Sequence, residues 1–448
     1  MSPVARILLS VAIVVVVALG IGLWVIRGPG PLAFTDGPKV ALSDYRGANP
    51  TGVPAKLAQA SLVERGAYLA KAADCMACHT SQGGKEFAGG LAIRLPFGTL
   101  YSTNITPDKE TGIGNYSDQD FLNALHRGTR NDGARLYPAM PYTSYTYMTD
   151  ADALAVKAYL FSLPSVRAVV PANTLMFPFN QRWGMIFWSA LFNPDTRFTP
   201  DTSKSAEWNR GAYLAEALAH CGECHTPRNL ALALDNRQKF AGAVTAGWRA
   251  FNISSDKTSG IGGWSDEDIV SYLSIGHADV HGTASGPMGE AVDHSFSQMA
   301  PEDIRAVVAY LRSVPPIGSP DLPATLAPPA PASHKQGGST PDPRGKMVFE
   351  GACVSCHGWT GESSISPFAT LTGSWAVNDP SATNVAQIVI SGTRRHTPAN
   401  AVSMPAFGNA YSDDEIAAVA NYVTARFGTR PSQMTAQDVA ELRKQTSE

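Results

Sequence analysis

The chain has 448 residues, with 35 Lys and Arg against 38 Asp and Glu and a formal charge of −3. That balance leaves no basic footprint for nucleic acid or any other acidic polymer. The length is too great for a single core and fits roughly three domains of about 100 to 150 residues.

Residues 7–26, ILLSVAIVVVVALGIGLWVI, are apolar or small and carry no charge between Arg6 and Arg27. At about 1.5 Å per residue, such a helix crosses a hydrocarbon layer of roughly 30 Å. The rival reading is a cleaved signal peptide ending near Ala18-Leu19-Gly20, which would leave IGLWVI as an odd mature start. A retained transmembrane helix is therefore expected within residues 1–30, with Trp24 at the outer interface. Either reading exports the rest of the chain.

Two long segments then repeat. RGAYLAKAADCMACHT (65–80) returns as RGAYLAEALAHCGECHT (210–226), and NITPDKETGIGNYSDQDF (104–121) returns as NISSDKTSGIGGWSDEDI (252–269). A third, more diverged copy is RGKMVFEGACVSCHG (344–358). The predicted units are 60–170, 206–314 and 344–430, joined by an aromatic linker at 171–205 and a proline-rich one at 315–343, with a tail at 431–448. Duplication of one supersecondary unit explains this layout.

Within each unit the pattern predicts helices and long loops, without the alternation of a sheet. Ser117 with Asp120, and Ser265 with Asp268, have N-cap spacing ahead of an apolar helical face. Closing helices are predicted at 149–164, 300–315 and 412–427, the first two followed by proline. The fold class expected is mainly α: three tandem helical domains behind the N-terminal helix.

The linkers differ in kind. Residues 315–343 hold nine prolines and read as an extended spacer giving the third unit some freedom. Residues 176–194, MFPFNQRWGMIFWSALFNP, are too aromatic for a solvated tether. They are expected to pack between the first two units, the alternative being a docking surface for a partner or the membrane.

All six cysteines lie in three CxxCH motifs: Cys75, Cys78 and His79; Cys221, Cys224 and His225; Cys353, Cys356 and His357. CxxCH is the attachment motif of c-type haem, its thiols adding to the two vinyl groups and its histidine ligating iron. A structural zinc site would need four ligands from neighbouring knuckles, and a thioredoxin-like pair would need a βαβ setting. Neither pattern is present, so three covalently bound haem c groups are expected, with His79, His225 and His357 as proximal ligands.

The repeats also locate the opposite ligand. Gly128, Gly276 and Gly392 are predicted to close helices, and twelve residues after each stand Met140, Met288 and Met404. Pro141, Pro287 and Pro405 adjoin them and stiffen the presenting loops. A thioether ligand favours reduced iron and raises its potential. His277, His281 and His294 surround Met288 and offer a bis-histidine alternative at the second haem. His126, His220, His334 and His396 are expected to be surface or hydrogen-bonded residues, and Met148 and Met299 packing residues.

With both axial positions filled, no iron is left open for substrate, which points to electron transfer rather than catalysis. No nucleophile elbow or nucleotide fingerprint competes. The glycine-rich GTASGPMG is expected to be the loop presenting Met288. A haem peroxidase or reductase with an open second haem, and a cytochrome subunit of a respiratory oxidase, are the remaining alternatives.

In its order of apolar segment, three CxxCH units, NITPDKETGIG loop and LYPAMPYTSY around Met140, the chain resembles the tri-haem cytochrome c subunit of bacterial membrane-bound dehydrogenases for alcohol, aldehyde, gluconate, sorbitol and fructose. The resemblance runs from about residue 60 to 428 and implies that the three units are class I cytochrome c-like domains. It implies a separate catalytic subunit of molybdenum, quinone or flavin type working in the periplasm, with an alcohol or aldehyde favoured as substrate. It also implies delivery of electrons to membrane ubiquinone or a terminal oxidase, with the haem-binding and axial residues as given above.

Overall fold

A computed structural model describes residues 2–319, 342–396 and 401–446. Most of the expected 315–343 spacer and His334 lie outside the described residues, as does the side chain of His396.

The N-terminal helix runs from Pro3 to Arg27, capped by Ser2, whose Oγ accepts from the Ala5 amide (3.2 Å). It ends at Gly28, whose φ of 64° stops the helix without a Cβ penalty. It is the one helix among the described residues long and apolar enough to cross a membrane, and its apolar stretch is not buried against the protein.

Each repeat then begins with a leading helix: Leu62–Ala72, Ala206–Tyr213 and Pro343–Val348. Each leads into its CxxCH motif and is met by a closing helix: Asp150–Ser162, Pro301–Ser313 and Asp413–Phe427. The Arg-Gly of each repeat explains how closely these helices cross. A methyl group at Gly66 would lie 1.8 Å from the Ala155 carbonyl oxygen. At Gly211 it would lie 1.8 Å from that of Ala306, and at Gly345 it would lie 2.1 Å from that of Ala418. Only glycine lets the backbones approach this far.

Between them lie the middle helices Asp118–Arg127, Asp266–Ile275 and Thr383–Ser391. Ser117 with Asp120 and Ser265 with Asp268 form the expected capping boxes. Gly128, Gly276 and Gly392 close these helices with φ of 60°, 74° and 69°.

Strands were not expected, yet among the described residues there are four two-stranded antiparallel hairpins, pairing 92–95 with 98–101, 243–245 with 248–250, 277–278 with 282–283 and 393–396 with 401–404. With two to four residues per strand, they are too short for alternation to emerge in the sequence. The expected tail also needs correction. Thr435 and Asp438 cap a helix, Ala436–Gln445, which buries Val439 and Leu442 in the third unit's core.

Among the described residues the apolar interior falls into two clusters, one continuous through the first two repeats and one around residues 348–442. A reciprocal exchange joins the first two repeats. Tyr68 of the first donates to Asp303 of the second (2.5 Å), and Tyr213 of the second donates to Asp152 of the first (2.5 Å). Tyr68 and Tyr213 are the tyrosines of the two RGAYLA copies, so each unit reads the other with the same residue.

Arg210 completes this joint with a two-pronged bond to Asp303 (2.9 and 2.7 Å) and bonds to the carbonyls of Pro50 and Gly52. Both side chains of the pair are largely buried. Asp303→Ala would strand the Arg210 charge, and it is expected to lower unfolding stability by about 3–5 kcal/mol in chemical denaturation.

The third unit is seated on the second, contrary to the freedom expected of it. Asn384 exchanges two hydrogen bonds with the backbone of Arg249 (2.8 and 2.9 Å), and buried Arg395 bonds Asp293 (2.7 Å). Trp375 packs edge-on against Trp264 and Phe251. These are side-chain matches between distant segments, which linker composition cannot reveal.

Candidate haem sites

Each CxxCH motif forms one helical turn at the end of its leading helix, entered at Asp74 and His220 through left-handed backbone (φ 50° and 37°) in the first two units. All six cysteines are free thiols. Burial pushes the thiols of Cys75 and Cys221 up to about 12, and those of Cys224 and Cys353 up to about 11. They therefore stay protonated at neutral pH. No group of three or more metal-binding side chains occurs among the described residues.

The three histidines share one device. His79 Nδ1 bonds the Thr103 carbonyl (2.7 Å), His225 Nδ1 that of Phe251 (2.6 Å) and His357 Nδ1 that of Ala369 (2.6 Å). A carbonyl only accepts, so Nδ1 carries the proton and Nε2 is left with its lone pair. Burial lowers the pKa of all three rings, against a smaller opposing effect of the carbonyl, and keeps them neutral. Two free thiols beside a neutral imidazole of fixed tautomer fit the donor set that covalent haem requires.

The reason for the repeated Asn-Ile-Thr/Ser segment now becomes visible. Asn104, directly after Thr103, accepts from the Thr106 amide (2.9 Å) and donates to Val166 O beyond the closing helix (2.7 Å). Asn252, directly after Phe251, does the same with Ser254 (2.8 Å) and Ile317 (2.6 Å). Each asparagine thus pins the carbonyl that orients its histidine. The repetition of NIT and NIS was the available signal, but a backbone acceptor has no residue type to search for.

Met140 and Met288 pack against the shared core that Cys75 and Cys221 also border, and Met404 against the third core with Cys353. Met140 stands in a turn before Pro141, and Met404 ends its hairpin strand. Met288 departs from expectation. It lies in the helix Gly286–His294 rather than in a loop, because Pro287 serves as a first-turn residue there.

Two of the three histidines near Met288 are otherwise engaged. His277 bonds Thr283 through Nδ1 (2.9 Å) and Asp279 through Nε2 (3.2 Å), while His281 stacks on Trp264 at 3.7 Å. Met148 and Met299 are buried in the core, as expected of packing residues.

His126 is not on the surface. It is 2% exposed, its Nε2 has no hydrogen-bond partner and its Nδ1 is 3.6 Å from Asp150. Burial, helped by nearby Arg197, lowers its pKa to about 4 from an ordinary 6.5. The unfolded chain therefore takes up this proton first as pH falls. The associated stability is present above about pH 6.5 and disappears towards pH 4, a change of roughly 3 kcal/mol. Denaturation at pH 7 and pH 5 checks this, and His126→Gln is expected to flatten the dependence.

Comparison with known proteins agrees with this geometry. Residues 63–164 and 343–426 match the family model described as Cytochrome c. The chain is 38% identical over 418 residues to the fructose dehydrogenase cytochrome subunit of Gluconobacter japonicus, covering 88% of this chain and 85% of that one. Identity is also 38% over 404 residues to the gluconate 2-dehydrogenase cytochrome c subunit of Pantoea cypripedii (86% and 90% covered). It is 36% over 409 residues to the cytochrome c subunit of alcohol dehydrogenase (quinone) of Gluconobacter oxydans (86% and 83% covered).

Helical units around CxxCH turns define the class as cytochrome c, carriers of covalently bound haem. Within it, the chain belongs to the family of cytochrome c subunits of dehydrogenase complexes, whose members transfer electrons and leave catalysis to another subunit.

Proposed function

We propose that this chain is a tri-haem relay that takes electrons from a dehydrogenase catalytic subunit and passes them to ubiquinone or a terminal oxidase. The carrying observation is the threefold recurrence of a CxxCH turn whose histidine Nδ1 is held by a backbone carbonyl. The family model leaves the second motif unmatched, but that motif belongs to a near-copy of the first unit with the same histidine device. Three cytochrome c-like, mainly helical units at 60–170, 206–314 and 344–430 follow from this reading.

In it, Cys75, Cys78, Cys221, Cys224, Cys353 and Cys356 hold three haems through thioethers. His79, His225 and His357 ligate from one side, and Met140, Met288 and Met404 from the other. When bound, the haems supply one-electron chemistry. The protein's own part is to fix each imidazole tautomer and keep the rings neutral. The engagement of His277 and His281 by other partners supports Met288 as the second unit's ligand.

The helix Pro3–Arg27 anchors the chain in the inner membrane with its haem units in the periplasm. The relatives' names support a dehydrogenase partner; a molybdenum, quinone or flavin type acting on an alcohol or aldehyde is the finer reading proposed. Affinity capture of the detergent-solubilised holoprotein is expected to bring down a cofactor-bearing dehydrogenase, and the reduced protein is expected not to bind carbon monoxide. A solitary chain that binds carbon monoxide at one haem would favour a peroxidase or reductase instead.

A further inference from the structure

The aromatic segment before and within the helix Gly184–Phe192 has two unlike sides. Its inner side is fastened: Trp188 Nε1 donates to Ala231 O (2.8 Å), and buried Ser189 shares a hydrogen bond with the Tyr142 hydroxyl (3.0 Å). Its outer side is bare. Phe177, Trp183 and Phe187 are 77%, 63% and 70% exposed, and Met176 and Ile186 join them. Leu230, 98% exposed, extends this ledge from the loop that Trp188 holds. Aromatic and aliphatic side chains are driven out of water, so a contiguous set left outside marks a contact surface.

The N-terminal helix indicates what covers it. Its last turn is bonded to the neighbourhood of that same loop. Asn229 Nδ2 donates to Ile26 O (2.9 Å), Arg237 Nη1 to Val25 O (2.7 Å) and Asn236 Nδ2 to Pro29 O (3.1 Å). The helix also packs directly on Gly184–Phe192. A span whose end carries exposed Trp24 places that end in the interfacial layer of a bilayer, and the ledge fixed beside it comes to the same level. The helix Gly184–Phe192 carries no charge, and nearby Arg182 is turned inward onto the Tyr137 ring and Arg135 O. Such a Trp- and Phe-rich face suits the headgroup–acyl boundary.

We propose that this ledge inserts into the bilayer interface beside the N-terminal helix, holding the protein to the membrane at two points. Its bond to Tyr142, two residues after Met140, places the Met140 turn on the membrane-facing side of the first unit. The proposal rests on reading Pro3–Arg27 as a membrane span.

The test uses the full-length haem-loaded chain in nanodiscs of phosphatidylethanolamine and phosphatidylglycerol doped with a phospholipid bearing an acyl-chain diazirine. After irradiation, labelled residues are mapped by mass spectrometry. Labels on Pro3–Arg27 and on residues 176–187 are expected. Labels on the helix alone overturn the ledge but keep the span, and labels on neither overturn both. A ledge labelled in the isolated chain but shielded in the dehydrogenase complex would assign it to a protein partner, again overturning the proposal. In the combined variant Phe177→Ser, Trp183→Ser, Phe187→Ser, all at exposed positions, ledge labelling is expected to fall about tenfold with helix labelling and haem spectrum retained. Unchanged ledge labelling would contradict the assignment.

Discussion

Replacing Cys353 and Cys356 together by alanine is expected to yield a protein with two covalent haems in place of three. The third motif borders its own apolar cluster, separate from the continuous core of the first two repeats. The first two units keep their cysteine pairs, histidine–carbonyl bonds and the Tyr68–Asp303 and Tyr213–Asp152 exchange. Intact-protein mass spectrometry reads the result directly as the loss of one haem mass. An unchanged mass would show that the third motif carries no haem. Loss of all haem would show that the third unit is needed for the others to mature, against the separation of the cores.

Met404→His is expected to lower the potential of one haem by on the order of 0.2 V, a fraction of the roughly 0.8 V that axial ligation spans. The thioether is a soft ligand that favours ferrous iron, whereas imidazole favours the ferric state. Met404 suits the experiment because its strand, 401–404, belongs to the third core, so the other two haems act as internal references. A potentiometric titration followed by visible absorbance is expected to show one wave displaced and two unmoved. Three unmoved waves would remove Met404 as a ligand, and Met140→His would then test the first unit in the same way.

Much of the architecture was legible because the sequence repeats it. Serine capping boxes, helix-closing glycines and closing helices fell where their residue types required, since each is decided within one or two helical turns. The CxxCH turns were equally plain. What escaped depends on partners distant in sequence. The Arg-Gly of each repeat gives no hint that Gly66, Gly211 and Gly345 mark helix crossings, because the crowding atom is a carbonyl oxygen 73 to 95 residues away. The roles of Thr103, Phe251 and Ala369 were hidden because their backbone, not their side chains, holds the histidines. Met288 was read as a loop residue because glycine and proline around it outweighed the helix that Pro287 starts. The sequence offers His126 only as a surface or hydrogen-bonded residue, because burial with Nε2 unpaired leaves no mark in sequence.

The central claim, that the chain relays electrons it does not itself extract, is tested most directly by stopped-flow absorbance on the purified complex of this chain with its catalytic subunit. On mixing with the substrate of that subunit under anaerobic conditions, all three haems are expected to become reduced, and to be reoxidised when a ubiquinone analogue is added. Haems that stay oxidised while the catalytic subunit reduces an artificial dye would contradict the account.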